Sequence, residues 1–352
     1  MRRLLTVTAV VALTGLVGTT PGVASLGAKR ATKTVTLVTH DSFAVSKSVL
    51  ASFTRSTGIK VKILHSGDAG AALNQAILTK DRPLGDAFFG VDNTFLSRAL
   101  DAGIFVRYRP PSLGTVPQEY QLDPSHRLTP IDHGDVCIND DKTWFADKGL
   151  KPPETLDDLT KPQYRGLLVA ENPATSSPGL AFVLATIAQY HESGWRAYWT
   201  KLRANGVQIV DGWEQAYDGS FTQGQNKGDR PLVVSYASSP PAAVYFSKPQ
   251  PKQSPVGTML ASCFRQVEFA GVLKGAAEPG AARRLVDFML SPRFQADIPL
   301  QMFVFPVRDG TKLPEVFTKF AEVPAAPLKL STSEIGANRE RWIQQWTDTV
   351  VR

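Results

Sequence analysis

Hydrophobic residues recur at two different spacings along the first third of the chain. Alternating, largely β-branched positions, as in Thr34–Thr39, are typical of strands. Apolar residues four positions apart, such as Val49 and Phe53, are typical of one face of a helix. Strands are predicted at Thr34–Thr39, Lys60–His65 and 87–91, and helices at 44–57, 69–80 and 93–100. This alternation predicts a parallel sheet covered by helices.

A proline-rich segment at 105–128 interrupts the alternation and predicts a loop. Extended patterns follow at 129–139 and 266–273, and they enclose a second run of predicted elements. Those elements are strands at 167–170, 207–210 and Leu232–Tyr236, with helices at 178–190 and 195–203 and a glycine-punctuated helical segment before the last strand. The fold class expected from this order is α/β.

The chain length predicts two lobes. A single hydrophobic core stops growing near about 250–300 residues, and this chain has 352. We expect lobe 1 to combine 34–130 with 266–352, and lobe 2 to span 131–265. The two extended segments would then cross between the lobes as a hinge, with a ligand cleft between them.

The C-terminal segment has the pattern of a capped amphipathic helix. Ser331 and Glu334 have the spacing of a capping box, in which each side chain satisfies a free backbone N–H. Trp342 and Trp346 follow at a spacing of four residues, so they share one helix face. We interpret this pair as core packing, because aromatic stripes at helical spacing usually face the core.

The N-terminus has the composition of a secretory signal peptide at 1–24. Arg2 and Arg3 precede an apolar stretch at 4–17, and a small-residue cleavage site ends at Ala24. A buried N-terminal helix is the alternative. The stretch is too short to span a membrane, and no cysteine follows it to carry a lipid. We therefore expect an exported protein in the periplasm or at the extracellular face of the cytoplasmic membrane.

Charge and motif content exclude several functions. The formal charge is +7, but lysine and arginine are scattered, so no nucleic-acid surface is expected. The sequence contains no phosphate-binding loop, dinucleotide fingerprint or nucleophile elbow, and no histidine pair at metal-ligand spacing. We expect no enzyme, no metal and no cofactor. Cys137 and Cys263 are either a disulfide, which export permits, or two buried thiols.

Four loops concentrate carboxylates and aromatic rings directly after or between predicted strands. Parallel sheets bind ligands at the carboxyl ends of their strands. An aromatic face attracts a cation, and a carboxylate supplies its counter-charge. These loops therefore suit a flat, positively charged ligand. They are 40–43 with Asp41 and Ser42, 67–68 with Asp68, 212–217 with Trp213 and Tyr217, and 235–240 with Tyr236 and Ser238.

Each of these residues also has a purely structural interpretation. Asp41 and Asp68 are good helix caps, and a cap can contact a ligand as well. Trp213 and Tyr236 are residue types that often fill cores.

These loops, with further segments, resemble the thiamine-binding proteins of ABC importers, which have the type II periplasmic-binding-protein fold. The resemblance extends from about residue 34 to the C-terminus. It also includes Gly90-Val91-Asp92-Asn93, the run 175–180, the stretch Gln266-Val267-Glu268, the segment 288–292 and the tryptophan-containing last helix.

The resemblance implies two α/β lobes that close over thiamine or its phosphates and deliver the ligand to a membrane permease. It implies a monomer, with Trp213 and Tyr236 flanking the ligand rings and Asp41 and Asp68 contacting polar or cationic groups. Ser176, Ser177 and Gly179 would lie at a helix start that faces a phosphate. Tyr217, Ser42 and Ser238 would complete the site, together with Phe303, which replaces a tryptophan of the family.

This chain departs from the family at His40, which replaces a tyrosine and would disfavour a neighbouring cation when charged. A family tyrosine is also missing where Pro241 and Ala242 stand. Three other solutes therefore remain alternatives: a polyamine, ferric ion and a phosphorylated compound. The nine-residue gap between Tyr236 and Tyr245 counts against iron, which this fold usually binds through adjacent tyrosines. A secreted hydrolase is the alternative from another class.

Overall fold

The computed structural model describes residues 33–352. The predicted signal peptide at 1–24 lies outside the described residues. Among the residues that are described, no helix is both long and apolar enough to cross a membrane.

The described chain forms one mixed sheet, and its strands lie in the order β2-β1-β3-β8-β4-β7-β5-β6, with β9 paired to β4. The strands are β1 Thr34–Thr39, β2 Lys60–His65, β3 Ala87–Asp92, β4 Thr129–Asp141, β5 Leu168–Glu171, β6 Gln208–Val210, β7 Leu232–Tyr236, β8 Val256–Val272 and β9 Phe305–Pro306. The trio β2-β1-β3 is parallel, and so is the trio β7-β5-β6. We call these trios, with the helices that follow their strands, the first half and the second half.

Helices connect these strands and cover the sheet. They are α1 Lys47–Thr57, α2 Ala69–Leu78, α3 Leu96–Asp101, α4 Lys142–Asp147, α5 Ser177–Ala204, α6 Ser239–Phe246, α7 Pro279–Met289, α8 Pro292–Gln295, α9 Ile298–Gln301, α10 Glu315–Phe320 and α11 Thr332–Val350. The segment at 105–128 contains only short 3-10 turns, as its prolines predict. The glycine-punctuated segment before β7 is a π-helical turn, Gln215–Ser220.

Local periodicity predicted the strands of the first half well, and helix starts less well. Helix α1 was predicted from residue 44 but begins at Lys47. The backbone N–H and hydroxyl of Ser46 both donate to the Asp297 carboxylate, at 2.7 and 2.6 Å, and this distant contact precedes the first turn. Gly58 ends α1 with φ of 71°, a left-handed conformation that glycine adopts without strain.

The third helix was predicted to begin at residue 93, but α3 begins at Leu96. Asn93 does not cap α3, because its side chain bonds the backbone of β8 at Arg265 O and Val267 N. The carboxylate of Asp92 instead accepts from the backbone N–H groups of Thr94 and Phe95. The turn into α3 is therefore held by the last residue of a buried strand.

The two segments predicted as crossovers form the antiparallel centre of the sheet, since β4 pairs with β8. Strand β8 also pairs with β3 of the first half, and β4 pairs with β7 of the second half. These two long strands therefore connect the halves, as a hinge requires. The exact lobe boundaries at 34–130, 131–265 and 266–352 remain a prediction.

A disulfide joins Cys137 of β4 to Cys263 of β8 and closes a loop of 126 residues. Both cysteines are fully buried. The bond therefore decides between the two alternatives that the sequence left open. The disulfide cross-links the neighbouring central strands β4 and β8 where their register shifts, between Val136 and Ile138.

The C-terminal helix packs as its pattern predicts. Trp342 and Trp346 are fully buried, and the Trp346 ring meets Trp199 of α5 edge-on at 5.5 Å. Ser331 accepts the N–H of Glu334 as the cap of α11, but the reciprocal bond of the predicted capping box, from the Ser331 N–H to the Glu334 side chain, does not form. Helix α5 combines the two helices predicted at 178–190 and 195–203, with a non-helical residue between them at His191.

Candidate functional site

The four loops selected from the sequence meet between the two halves of the sheet. Three cavities of the described chain lie there, with volumes of about 740, 350 and 70 Å³, which we call the large, intermediate and small cavities. Ser42, which follows β1, and Trp213, which follows β6, line all three. The large cavity lies within the range of small-molecule sites, about 300–1,000 Å³.

Asp68 connects the two halves across this cleft. It caps α2 by accepting the N–H of Ala69, and its other oxygen accepts the backbone N–H of Trp213 at 2.8 Å. Burial raises the pKa of Asp68, while the bond from Trp213 and the charge of His40 act in the opposite direction. The cap interpretation is therefore confirmed for this residue, and the same carboxylate also lines the cleft. A second contact between the halves runs from Ala71 N to Thr175 O at 3.1 Å.

Trp213 belongs to an aromatic pair that lines the cleft. Its ring stacks on Tyr217, with centroids 5.0 Å apart and planes inclined by 15°. Its indole N–H donates to Ser235 Oγ at 2.9 Å, which fixes the ring orientation. Tyr217 is almost fully buried, so it supports the indole from behind as well as lining the large cavity.

Tyr236 lies at the end of β7 and contacts both the large and the small cavity. Its hydroxyl donates to Gln266 Oε1 at 2.7 Å, and Gln266 Nε2 in turn donates to Ser177 Oγ at 3.0 Å and to the Asp92 carboxylate. The ring covers Gly134, where an added Cβ would lie 2.9 Å from Tyr236 Cδ1. Tyr236, at the end of β7, is therefore held by contacts from β4 and β8.

Glu268 is a site residue that the sequence reasoning missed. It lines the small cavity beside His40, whose Nε2 lies 3.1 Å from Glu268 Oε1. Burial opposes the charged form of His40, yet the neighbouring carboxylates, Glu268 foremost, raise the pKa of His40 above its ordinary value. The histidine that was expected to repel a cation is thus paired with an acid.

Two further carboxyl groups lie against Glu268 in the sheet, because Asp132 and Asp92 are its cross-strand partners on β4 and β3. Burial and the charge of Glu268 raise the pKa of Asp132 well above its ordinary value. Burial also raises the pKa of Asp92 to about 6. Gln266 and Glu268 share one face of β8 at a spacing of two residues, and this polar pair in an apolar strand was the available signal.

Acidic groups outnumber basic ones around the cleft. The carboxylates that line the three cavities include Asp68, Glu268, Glu214 and Asp218. Lys227 and His40 are the basic side chains in the same linings. Aromatic rings beside excess carboxylate favour an aromatic cation as the bound solute.

The predicted site residues fall into two groups: eight line the cavities of the cleft, and three do not. Asp41 is exposed, accepts the Gly67 N–H at 3.0 Å and lines the intermediate cavity. The other lining residues among those predicted are Ser42, Asp68, Ser177, Trp213, Tyr217, Tyr236 and Phe303.

Ser176, Gly179 and Ser238 do not line these cavities. Ser176 faces inward as the cap of α5 and accepts the Gly179 N–H. Gly179 packs so tightly on β5 that a Cβ would lie 2.5 Å from Glu171 O. Ser238 is fully buried. In residues 33–352, no group of three or more His, Cys, Asp or Glu side chains is placed to hold a metal ion.

The halves joined by two central strands, with a polar and aromatic cleft between them, define a two-lobed receptor for a small solute. The chain belongs to the bacterial extracellular solute-binding protein family, which matches residues 83–326. This membership confirms the type II fold class and the predicted site of action outside the cytoplasm.

Individual relatives are similar over almost their whole length. The thiamine-binding periplasmic protein of Escherichia coli (strain K12) is 29% identical over 323 residues, which cover 90% of this chain and 94% of that protein. The protein of the same name from Brucella suis biovar 1 (strain 1330) is 28% identical over 329 residues, which cover 91% and 92%. A solved periplasmic thiamin binding protein has a TM-score of 0.80 at 26% identity and covers 91% of this chain and 96% of its own.

Proposed function

We propose that this chain captures thiamine, or a thiamine phosphate, outside the cytoplasm and delivers it to the membrane permease of an ABC importer. The supporting observation is the position of Trp213. Its indole lies on Tyr217 in a cavity of about 740 Å³ that is also lined by Glu214 and Asp218. Thiamine combines aromatic rings with a fixed positive charge, which is the chemistry that such a lining attracts.

The relatives named above support the same ligand, because they are similar over nearly the full length of the chain and are named for thiamine. Ligand binding would act by favouring contact between the two halves, since Asp68 and Trp213 come from opposite sides of the cleft. The protein would act as a monomer, with its ligand between the halves and its outer surface available to the permease.

Isothermal titration calorimetry with thiamine, its monophosphate, its diphosphate and spermidine tests this proposal. We expect thiamine or one of its phosphates to bind with a dissociation constant below about 1 μM. We expect Trp213→Ala to abolish that binding. Heat with spermidine alone would replace thiamine by a polyamine as the solute.

The secreted hydrolase is tested in the same samples. Thiamine diphosphate incubated with the protein should be recovered intact. Release of inorganic phosphate at a rate proportional to protein concentration would contradict a receptor function.

A further inference from the structure

An exposed aromatic side chain lines the large cavity. Phe246, the last residue of α6, is 68% exposed and lines this cavity. Leaving a phenyl ring in water forgoes most of the stabilisation that its burial would provide. Large apolar side chains exposed at the rim of a pocket often mark a binding surface.

Phe246 is held against a second ring. Its centroid lies 5.4 Å from that of Phe303, which lines the same cavity and stacks at 6.3 Å on the buried Phe317. Phe303 has φ of 53°, a conformation that costs energy for an aromatic residue and that is found preferentially at functional sites. The contacting rings of Phe317, Phe303 and Phe246 therefore extend from the core to the cavity.

The cavity leaves room beside this pair. Ala242 precedes Phe246 by one helical turn, so both lie on the same face of α6, and both line the cavity. Ala242 and the neighbouring Ala243 contribute only small methyl side chains to this lining, beside Phe246. Trp213 and Tyr217 belong to the lining of the same cavity, which thus contains two aromatic pairs.

We propose that Phe246 is a ligand-contact residue whose ring, backed by Phe303, covers an aromatic ring of the bound solute. It would thereby select planar aromatic cations over aliphatic ones. This inference rests on the proposed function. A flexible aliphatic chain gains little from a flat ring surface, whereas stacked rings gain both apolar contact and a favourable geometry.

The matched variants are Phe246→Ala and Tyr245→Ala. Tyr245 is the adjacent residue, is 40% exposed and contacts both Phe246 and Phe303, but it is not part of the cavity lining. We expect Phe246→Ala to weaken thiamine binding about 10-fold, the change expected when about 60 Å² of apolar surface stays in water. Tyr245→Ala should change it less than about threefold.

Two further measurements separate ring contact from general packing. Phe246→Trp should restore wild-type thiamine affinity, and Phe246→Ala should leave any affinity for spermidine unchanged. Three outcomes would each overturn the inference while leaving the receptor function intact. They are an equal loss of thiamine affinity in both alanine variants, an equal loss of affinity for thiamine and spermidine in Phe246→Ala, and wild-type thiamine affinity in Phe246→Ala. A wild-type protein that binds no form of thiamine would overturn the proposed function, and this inference with it.

Discussion

Replacing Asp68 with asparagine should weaken ligand binding by removing one contact that joins the two halves. The carboxylate uses one oxygen for the Ala69 N–H and the other for the Trp213 N–H, at 2.8 Å for the latter. Asparagine keeps one acceptor oxygen, so one of these N–H groups faces an amide NH₂ instead. The cap of α2 is formed within a single loop, and we therefore expect the contact with Trp213 to be lost.

A hydrogen bond to a charged acceptor contributes about 1.5–3 kcal/mol. Because this bond connects the halves, its free energy favours the arrangement in which the cleft is closed over a ligand. Its loss should therefore weaken thiamine binding about 10- to 100-fold, at about 1.4 kcal/mol per tenfold. Loss of the negative charge beside a cationic ligand acts in the same direction. Calorimetric titration of the wild-type protein and Asp68→Asn measures the difference.

Asp158→Asn is the matched control. Asp158 accepts the backbone N–H groups of Glu154 and Thr155, and it lies in a 3-10 turn outside the cleft. Those two N–H groups share one oxygen of Asp158, and Lys161 Nζ donates to the other. The control therefore also loses one bond to a carboxylate oxygen, that from Lys161, so its free energy of unfolding should fall slightly, but its affinity for thiamine should not change. Binding by Asp68→Asn within about threefold of wild type would refute the reasoning.

The remaining predictions concern fluorescence, pH and the disulfide. Trp213 is the tryptophan in the described cavity linings, so thiamine should quench the tryptophan fluorescence of the wild-type protein. The Trp213→Phe variant should lose most of that quenching. Full quenching in the variant would argue against contact between thiamine and Trp213. Burial raises the pKa values of Asp68 and Glu214, so these carboxylates take up protons at a higher pH than usual. Thiamine affinity measured at constant ionic strength should therefore fall as the pH is lowered below neutrality, and a flat profile would contradict this assignment. The double variant Cys137→Ser, Cys263→Ser should lose about 3–5 kcal/mol of unfolding free energy in urea titrations, because the disulfide closes a loop of 126 residues. The reduced wild-type protein should be as unstable as the variant. A reduced protein as stable as the oxidised one would show that the disulfide contributes little.

Prediction from the sequence was most accurate where structure depends on neighbouring residues. The bounds of β1 and β2 agree with their alternating patterns, because alternation reports which side chains face the core. The start of α1 was predicted three residues early, because Ser46 is bound by Asp297, 251 residues away. A pattern confined to one window contains no information about such a partner.

The candidate site was also predicted only in part from the sequence. The loops that contain Ser42, Asp68 and Trp213 were found because ligands bind at the carboxyl ends of parallel strands, a rule that applies before any coordinates exist. The role of Asp68 as a link to Trp213 N–H was not predicted, nor was the pairing of His40 with Glu268. Both depend on which segments of the folded chain lie opposite one another.

By itself, the sequence determined the α/β class, the strand and helix order and the loops that supply the aromatic and acidic groups. Only the tertiary structure decided that Cys137 and Cys263 form a bond, that Glu268 belongs to the site, and that Ser176 and Ser238 do not line its cavities. The physical reason is that periodicity encodes the face on which a side chain lies, whereas its partner across the fold depends on the register between distant strands. Here that register is set by β8, which lies between β3 and β4.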